Sequence, residues 1–264
     1  VSGCGVYTYG VPLQALQGYI KISGVSGDLH FKSHDGVNSS LEAKDDITVT
    51  TVGGGVLFEA TLYSHEGNIK VSGGKDIDIK DTIKADAGYI DICTTAGDID
   101  LHEALQASGT NADGVGIKIL SKGEDKKITA ANDAIMEANA GAIDIRTDDG
   151  NIELDSNAIT AGTNLIVKAG GTNRSVTLGT SGGTDTAAAT TGHIDIEATG
   201  AVTTHASLTA NNNLNGYIDI SAGGAISLNR SLEAGGPSGI KISSTGTGNI
   251  MAADAATMNA TGGA

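Results

Sequence analysis

The chain has 264 residues and carries 16 Lys and Arg against 31 Asp and Glu, a formal charge of −15. That balance excludes a nucleic-acid partner, which needs a basic footprint, and disfavours an anionic membrane surface. Aromatic residues make up only 3% of the sequence and tryptophan is absent, so the core must be narrow and built from Ile, Leu, Val and Ala rather than from the rings that fill large cores and ligand pockets.

Residues 1–18, VSGCGVYTYGVPLQALQG, lack the pattern that follows and are expected to form an N-terminal cap or linker. The sequence opens on Val, which reads as a processed product or an excised segment. Cys4 lies here and Cys93 much further on; two cysteines make no disulfide framework. They would pair only if the first segment folds back on the fourth repeat. The alternative is a buried thiol at Cys93 and a terminal Cys4. No run of apolar residues is long enough for a transmembrane segment.

Residues 19–250 repeat. A strand reading apolar–x–apolar begins at Ile20, Ile47, Ile69, Ile90, Ile117, Ile143, Leu165, Ile194, Ile218 and Ile240. The fullest units continue through a turn into G-x-I-x-L and then L/I-x-A, as in Ile143, Ile145, Gly150, Ile152, Leu154, Ile159, Ala161 and Gly162. Alternation with period two marks strands with one buried face. Three such strands bury nothing alone. Stacked in parallel on the next unit, their apolar columns make one continuous interior. The expected fold is therefore all-β: a single parallel β-helix, right-handed, of about ten coils of about 24 residues each, with corner glycines that permit left-handed backbone.

Three stretches interrupt the pattern and are expected as sideways excursions: Lys32–Asn38, Gln106–Gly114 and Leu120–Lys127. AANDAIMEANA (130–140) reads as a strand and corner of the fifth unit, and TDTAAATTG (184–192) as an extended corner of low strand propensity. Residues 251–264, MAADAATMNATGGA, form a tail or docking segment without an evident cap. Open strand edges there invite pairing, so other copies of the chain, stacked end to end, are one expected partner.

The middle residue of each I-x-I strand faces outward. Down the units it is Lys21, Thr48, Lys70, Asp91, Lys118, Asp144, Ile166, Asp195, Asp219 and Lys241. The sign alternates from Lys70 to Asp144, which ladder electrostatics on a solvated face explains. Asp195 and Asp219 break the alternation, and in the second strand of the unit Asp78 and Asp100 are like-charged neighbours too, with Asp76 and Asp98 nearby. Closely spaced carboxylates can share a hard cation, so Asp76, Asp78, Asp98 and Asp100 are the candidate calcium site, and calcium the one candidate cofactor. His30, His34, His65, His102, His193 and His205 have no metal-ligand spacing. Asp148–Asp149 and Gly192–Ile194 echo fragments of polysaccharide-degrading β-helices, two coils apart. Tyr19, Tyr89 and Tyr217 recur just before the I-x-I strand, which suits a corner-packing device better than a sugar-stacking ladder.

The units GDIDLHEALQASG (97–109), GNIELDSNAITAG (150–162) and GAISLNRSLEAGG (224–236) resemble the shaft repeats of filamentous-haemagglutinin-like secreted bacterial adhesins, over roughly residues 18–250. The resemblance implies a right-handed β-helix, export to the cell surface and work as a rigid shaft in adhesion. The repeats here are longer and less uniform, and no NPNL- or NPNG-type secretion motif occurs. The expected function is that of an extracellular structural and adhesive protein, not an enzyme: the shaft of an adhesin or the repeating subunit of a surface filament. A cell-surface or polysaccharide ligand is the other expected partner. The rival reading is a carbohydrate-active β-helix, a polysaccharide lyase or a tailspike-like hydrolase.

Overall fold

The computed structural model describes residues 6–10, 12–32, 39–254 and 256–261. Cys4 and His34 lie outside them. The regular structure of these residues is all strand, arranged as a parallel β-solenoid. Three sheets run the length of the molecule, with eleven, eleven and ten strands. The chain visits first, second and third sheet in turn, and every strand pairs in parallel with its counterpart one coil away. Coils are counted here from the first-sheet strand, so that coil 5 comprises Ile99–Leu101, Leu105–Ala107 and Val115–Glu124.

The register stacks like on like. In the third sheet Ile47, Ile69, Ile90, Ile117, Ile143, Leu165, Ile194, Ile218 and Ile240 form one column, and Val49 to Ile242 another. Both are buried from coil 2 to coil 9. In the second sheet the L-x-A unit stacks a column of large apolar residues, interrupted by Ala187, beside a column of small ones, Ala43, Ser64, Ala85, Ala107, Ala138, Ala161 and onward. The chain's two phenylalanines, Phe31 and Phe58, are buried and stacked with centroids 4.9 Å apart.

Most corner glycines serve close approach, and few use the left-handed backbone that glycine permits. A Cβ on Gly88 would sit 2.0 Å from the Gly67 oxygen, and one on Gly97 2.1 Å from the Lys75 carbonyl carbon. Neither has a positive φ. Coils stack at strand spacing, so a tight corner lies directly on the corner below and leaves no room for a side chain.

Other expectations change in detail. Residues 184–192 are not a bare corner: Thr186–Ala189 is a second-sheet strand whose Ala187 and Ala189 point inward and are buried. Alanine has low strand propensity, but the ladders on both sides impose the register. The expected excursion at 120–127 shrinks to a turn, since the third-sheet strand runs to Glu124. The one at 106–114 begins only after Ala107. Lys32 ends a strand, and 33–38 lies outside the described residues. Within 1–18, Val6–Tyr9 and Leu13–Ala15 pair with the first and second sheets of coil 2. Within 251–264, Met258–Ala260 continues the second sheet as another apolar-x-Ala unit. No helix among the described residues is long and apolar enough to cross a membrane.

Candidate functional site

The four aspartates of the expected calcium site sit on adjacent coils, but their oxygens do not converge. Asp78 and Asp100 are in register on the outer face of the first sheet. Asp78 lies 3.3 Å from Lys80 Nζ and 3.2 Å from His102 Nε2. Asp100 accepts a hydrogen bond from the Thr129 hydroxyl. Asp76 and Asp98 occupy the corner before the strand, where each accepts a backbone N–H from the coil above: Asp98 N to Asp76 Oδ1 at 2.9 Å, Lys127 N to Asp98 Oδ1 at 2.9 Å. Among the described residues no group of three or more His, Cys, Asp or Glu is arranged to hold a metal ion.

The corner bonds are a general device. Asp28, Asn151 and Ser175 do the same at this corner, and Asp46, Asn68 and Asn164 at the corner before the third sheet. An N–H that turns away from the ladder at a bend must still find an acceptor. A short polar side chain on the coil below supplies it, which explains these residues without invoking a ligand.

The outward column of the third sheet has the expected charge pattern, with Lys70, Asp91, Lys118 and Asp144 in register. The like-charged neighbours Asp195 and Asp219 are each neutralised from their far side. Lys168 Nζ lies 2.8 Å from Asp195, and Lys241 Nζ 3.0 Å from Asp219. Tyr217 stacks on His193 at 4.4 Å with rings 5° apart, and Lys70 sits 5.3 Å from the centre of the Tyr89 ring. Burial holds the His193 imidazole below its ordinary pKa. These contacts fit corner packing. Asp148–Asp149 and His193 lie at opposite edges of the third sheet and do not meet.

One concavity stands out on this sheet. A shallow groove of about 540 Å³ crosses coils 5 to 7, floored by Lys118, Leu120, Asp144, Arg146 and Ile166 and rimmed by Asn111, Asp113 and Asp148. A second depression shares Arg146 and Asp148 and extends it past Lys168 and Glu197. The excursion 108–114 forms one wall. It is held rigidly: Asn111 Oδ1 accepts from the Asp113 and Val115 N–H groups, both at 2.9 Å, and Gly114 takes a φ of 77°. Arg146 Nε donates to Asp144 Oδ1 at 2.5 Å. The groove was not evident from sequence, because its floor joins residues of three coils. The signal that was present is Leu120 and Ile166, aliphatic residues at outward positions.

Comparison of the chain with protein-family models, with curated proteins and with solved structures finds no match.

Proposed function

We propose that the chain is an extracellular structural and adhesive β-helix, the shaft of an adhesin or the repeating subunit of a surface filament. One observation carries the reading: the two inward columns of the third sheet are aliphatic at every coil from Ile47 to Ile240 and from Val49 to Ile242. A sequence that places its aliphatic residues this way extends along one axis, each coil adding about 4.8 Å. The likeness of the repeats to secreted shaft repeats supports the cell-surface setting.

The filament version draws on a second observation. Leu13-Gln14-Ala15 and Met258-Asn259-Ala260 occupy the same columns at opposite ends of the second sheet. One copy laid on another would continue the apolar and alanine columns in register. Electron microscopy of the purified protein should show straight rods, about 50 Å long for a single copy, and longer in multiples if copies stack. Compact particles would remove the shaft, and rods of one length at every concentration would remove the filament. Release of new reducing ends from a polysaccharide panel would favour the carbohydrate-active reading instead.

A further inference from the structure

Outside coils 4 to 7 the outward positions of the third sheet are all polar, and in coil 4 they are Asp91 and Cys93. In coils 1 to 3 they are Lys21 and Ser23, Thr48 and Thr50, Lys70 and Ser72; in coils 8 to 10 they are Asp195 and Glu197, Asp219 and Ser221, Lys241 and Ser243. The aliphatic exceptions are Leu120 and Ile166, and both line the groove. Between them lies coil 6 with Asp144 and Arg146. Arg146 commits Nε to Asp144, and among the described residues the far edge of its guanidinium takes no further partner and Lys118 makes no ion pair. Asp148 stands exposed at the rim. The floor thus interleaves apolar patches with donors and acceptors, and its charges nearly balance.

We propose that this groove binds a segment of a neutral oligosaccharide, a deepening of the adhesive reading on which it rests. A pyranose ring presents C–H faces to aliphatic side chains and hydroxyls that both donate and accept. A carboxylate–guanidinium pair serves such hydroxyls in both directions. An acidic chain meets Asp113, Asp144 and Asp148, and a basic one meets Lys118 and Arg146. A peptide strand finds no free main-chain partners, because the groove lies on the face of the sheet and not at its edge. The open, transverse shape suits a chain passing through rather than an enclosed small molecule.

The test is NMR titration of the full chain with short neutral gluco-, manno- and galacto-oligosaccharides, with acidic oligosaccharides and a peptide mixture alongside. The expected result is shifts at the Leu120 and Ile166 methyls with a neutral sugar. The double variant Leu120→Thr, Ile166→Thr should weaken that binding by about tenfold or more without lowering the melting midpoint, since Thr48 and Thr50 already occupy such positions. Lys118→Gln is a second probe that breaks no ion pair, and it should also weaken binding. No response to any neutral sugar, binding unchanged in both variants, or binding confined to acidic sugars or peptides overturns the proposal. Rods without sugar binding would defeat the site and spare the shaft; a sugar bound and then shortened would defeat the shaft and spare the site.

Discussion

Coils 2 to 4 and coils 5 to 8 share one core and differ on the outside. In the first group the side-chain bonds run between adjacent coils: Glu42 to His65 at 2.9 Å, Asp46 to the Asn68 N–H at 2.7 Å, Tyr63 to Asp86. In the second group some bonds skip a coil. Arg174, beyond coil 7, reaches Asp149 beyond coil 6 at 2.6 Å and also Asp125 beyond coil 5. Thr180 reaches Asn132 two coils back at 3.4 Å, and Arg230 of coil 10 donates back to the Gly183 carbonyl in coil 8. The excursions 108–114 and 179–185 and the groove all belong to this second group. Regular corners stack tightly enough to need only their neighbours. Where a corner is lengthened, a longer side chain takes over the stitching, and the added loop creates a surface that a bare wall lacks.

If the interior is common to both groups, truncating it should cost the same in each. Ile92→Ala in coil 4 and Ile145→Ala in coil 6 each remove a fully buried side chain. Each is expected to lower stability by about 2–5 kcal/mol, the largest effect predicted for any single substitution here. Chemical denaturation measures both. A cost confined to one of them would mean that the two groups are separate cooperative units.

The core was legible because it obeys period two with little exception, and each unit repeats the lesson of the last. Ala187 and Ala189 were missed because no property of alanine marks a strand; only the ladders above and below do. Leu13-Gln14-Ala15 carries the L-x-A spacing but stands apart from a complete repeat, so its place on the second sheet shows only in the pairing with Leu41–Ala43. The corner aspartates are legible as a cluster, but their bonds to the backbone of the coil above are not, since a carboxylate accepting an N–H and one awaiting a cation look alike in sequence. The groove and the Arg174 clip depend on which residues meet across three coils, and excursions of unequal length hide that alignment.

The skipping clip gives the second contrast. Arg174→Met should speed hydrogen exchange at the corners 125–127 and 149–151 and leave coils 2 to 4 unchanged. The effect should shrink in high salt, because the pairs are near the surface. Uniform destabilisation of the whole rod would show that the clip holds no coil in particular.

Titration separates the groups again, with opposite signs. In the regular group the Tyr63 hydroxyl and Lys84 hold the Asp86 carboxyl below its ordinary pKa. Its folded pKa is depressed, so its contribution is present above the unfolded value and is lost as pH falls through the folded one. In the irregular group burial, with Glu153 and Asp185 nearby, pushes Asp155 up. Its folded pKa is raised, so the fold loses stability as pH climbs from the unfolded value to the folded one, and stays lower beyond. Asp155→Asn should therefore raise the melting midpoint at neutral pH and lose that advantage in acid, whereas Asp86→Asn should lower it at neutral pH and lose that penalty in acid. Matching pH profiles for the two variants would erase the distinction.

The smallest effect concerns the like-charged neighbours Asp195 and Asp219 at the end of the irregular group. Lys168 approaches Asp195 at 2.8 Å and Glu197 at 3.1 Å from the coil below. Partly exposed pairs of this kind contribute about 0.2–1 kcal/mol, and Lys168→Gln should cost within that range. The cost has two sources, the lost attraction and the unscreened repulsion between Asp195 and Asp219. Asp195→Asn removes both, so in the double variant Lys168→Gln should become nearly neutral. A thermal double-mutant cycle reads the coupling directly. If Lys168→Gln costs as much beside Asn as beside Asp, then Glu197 is the operative partner, and the repulsion across the register is tolerated by solvent alone.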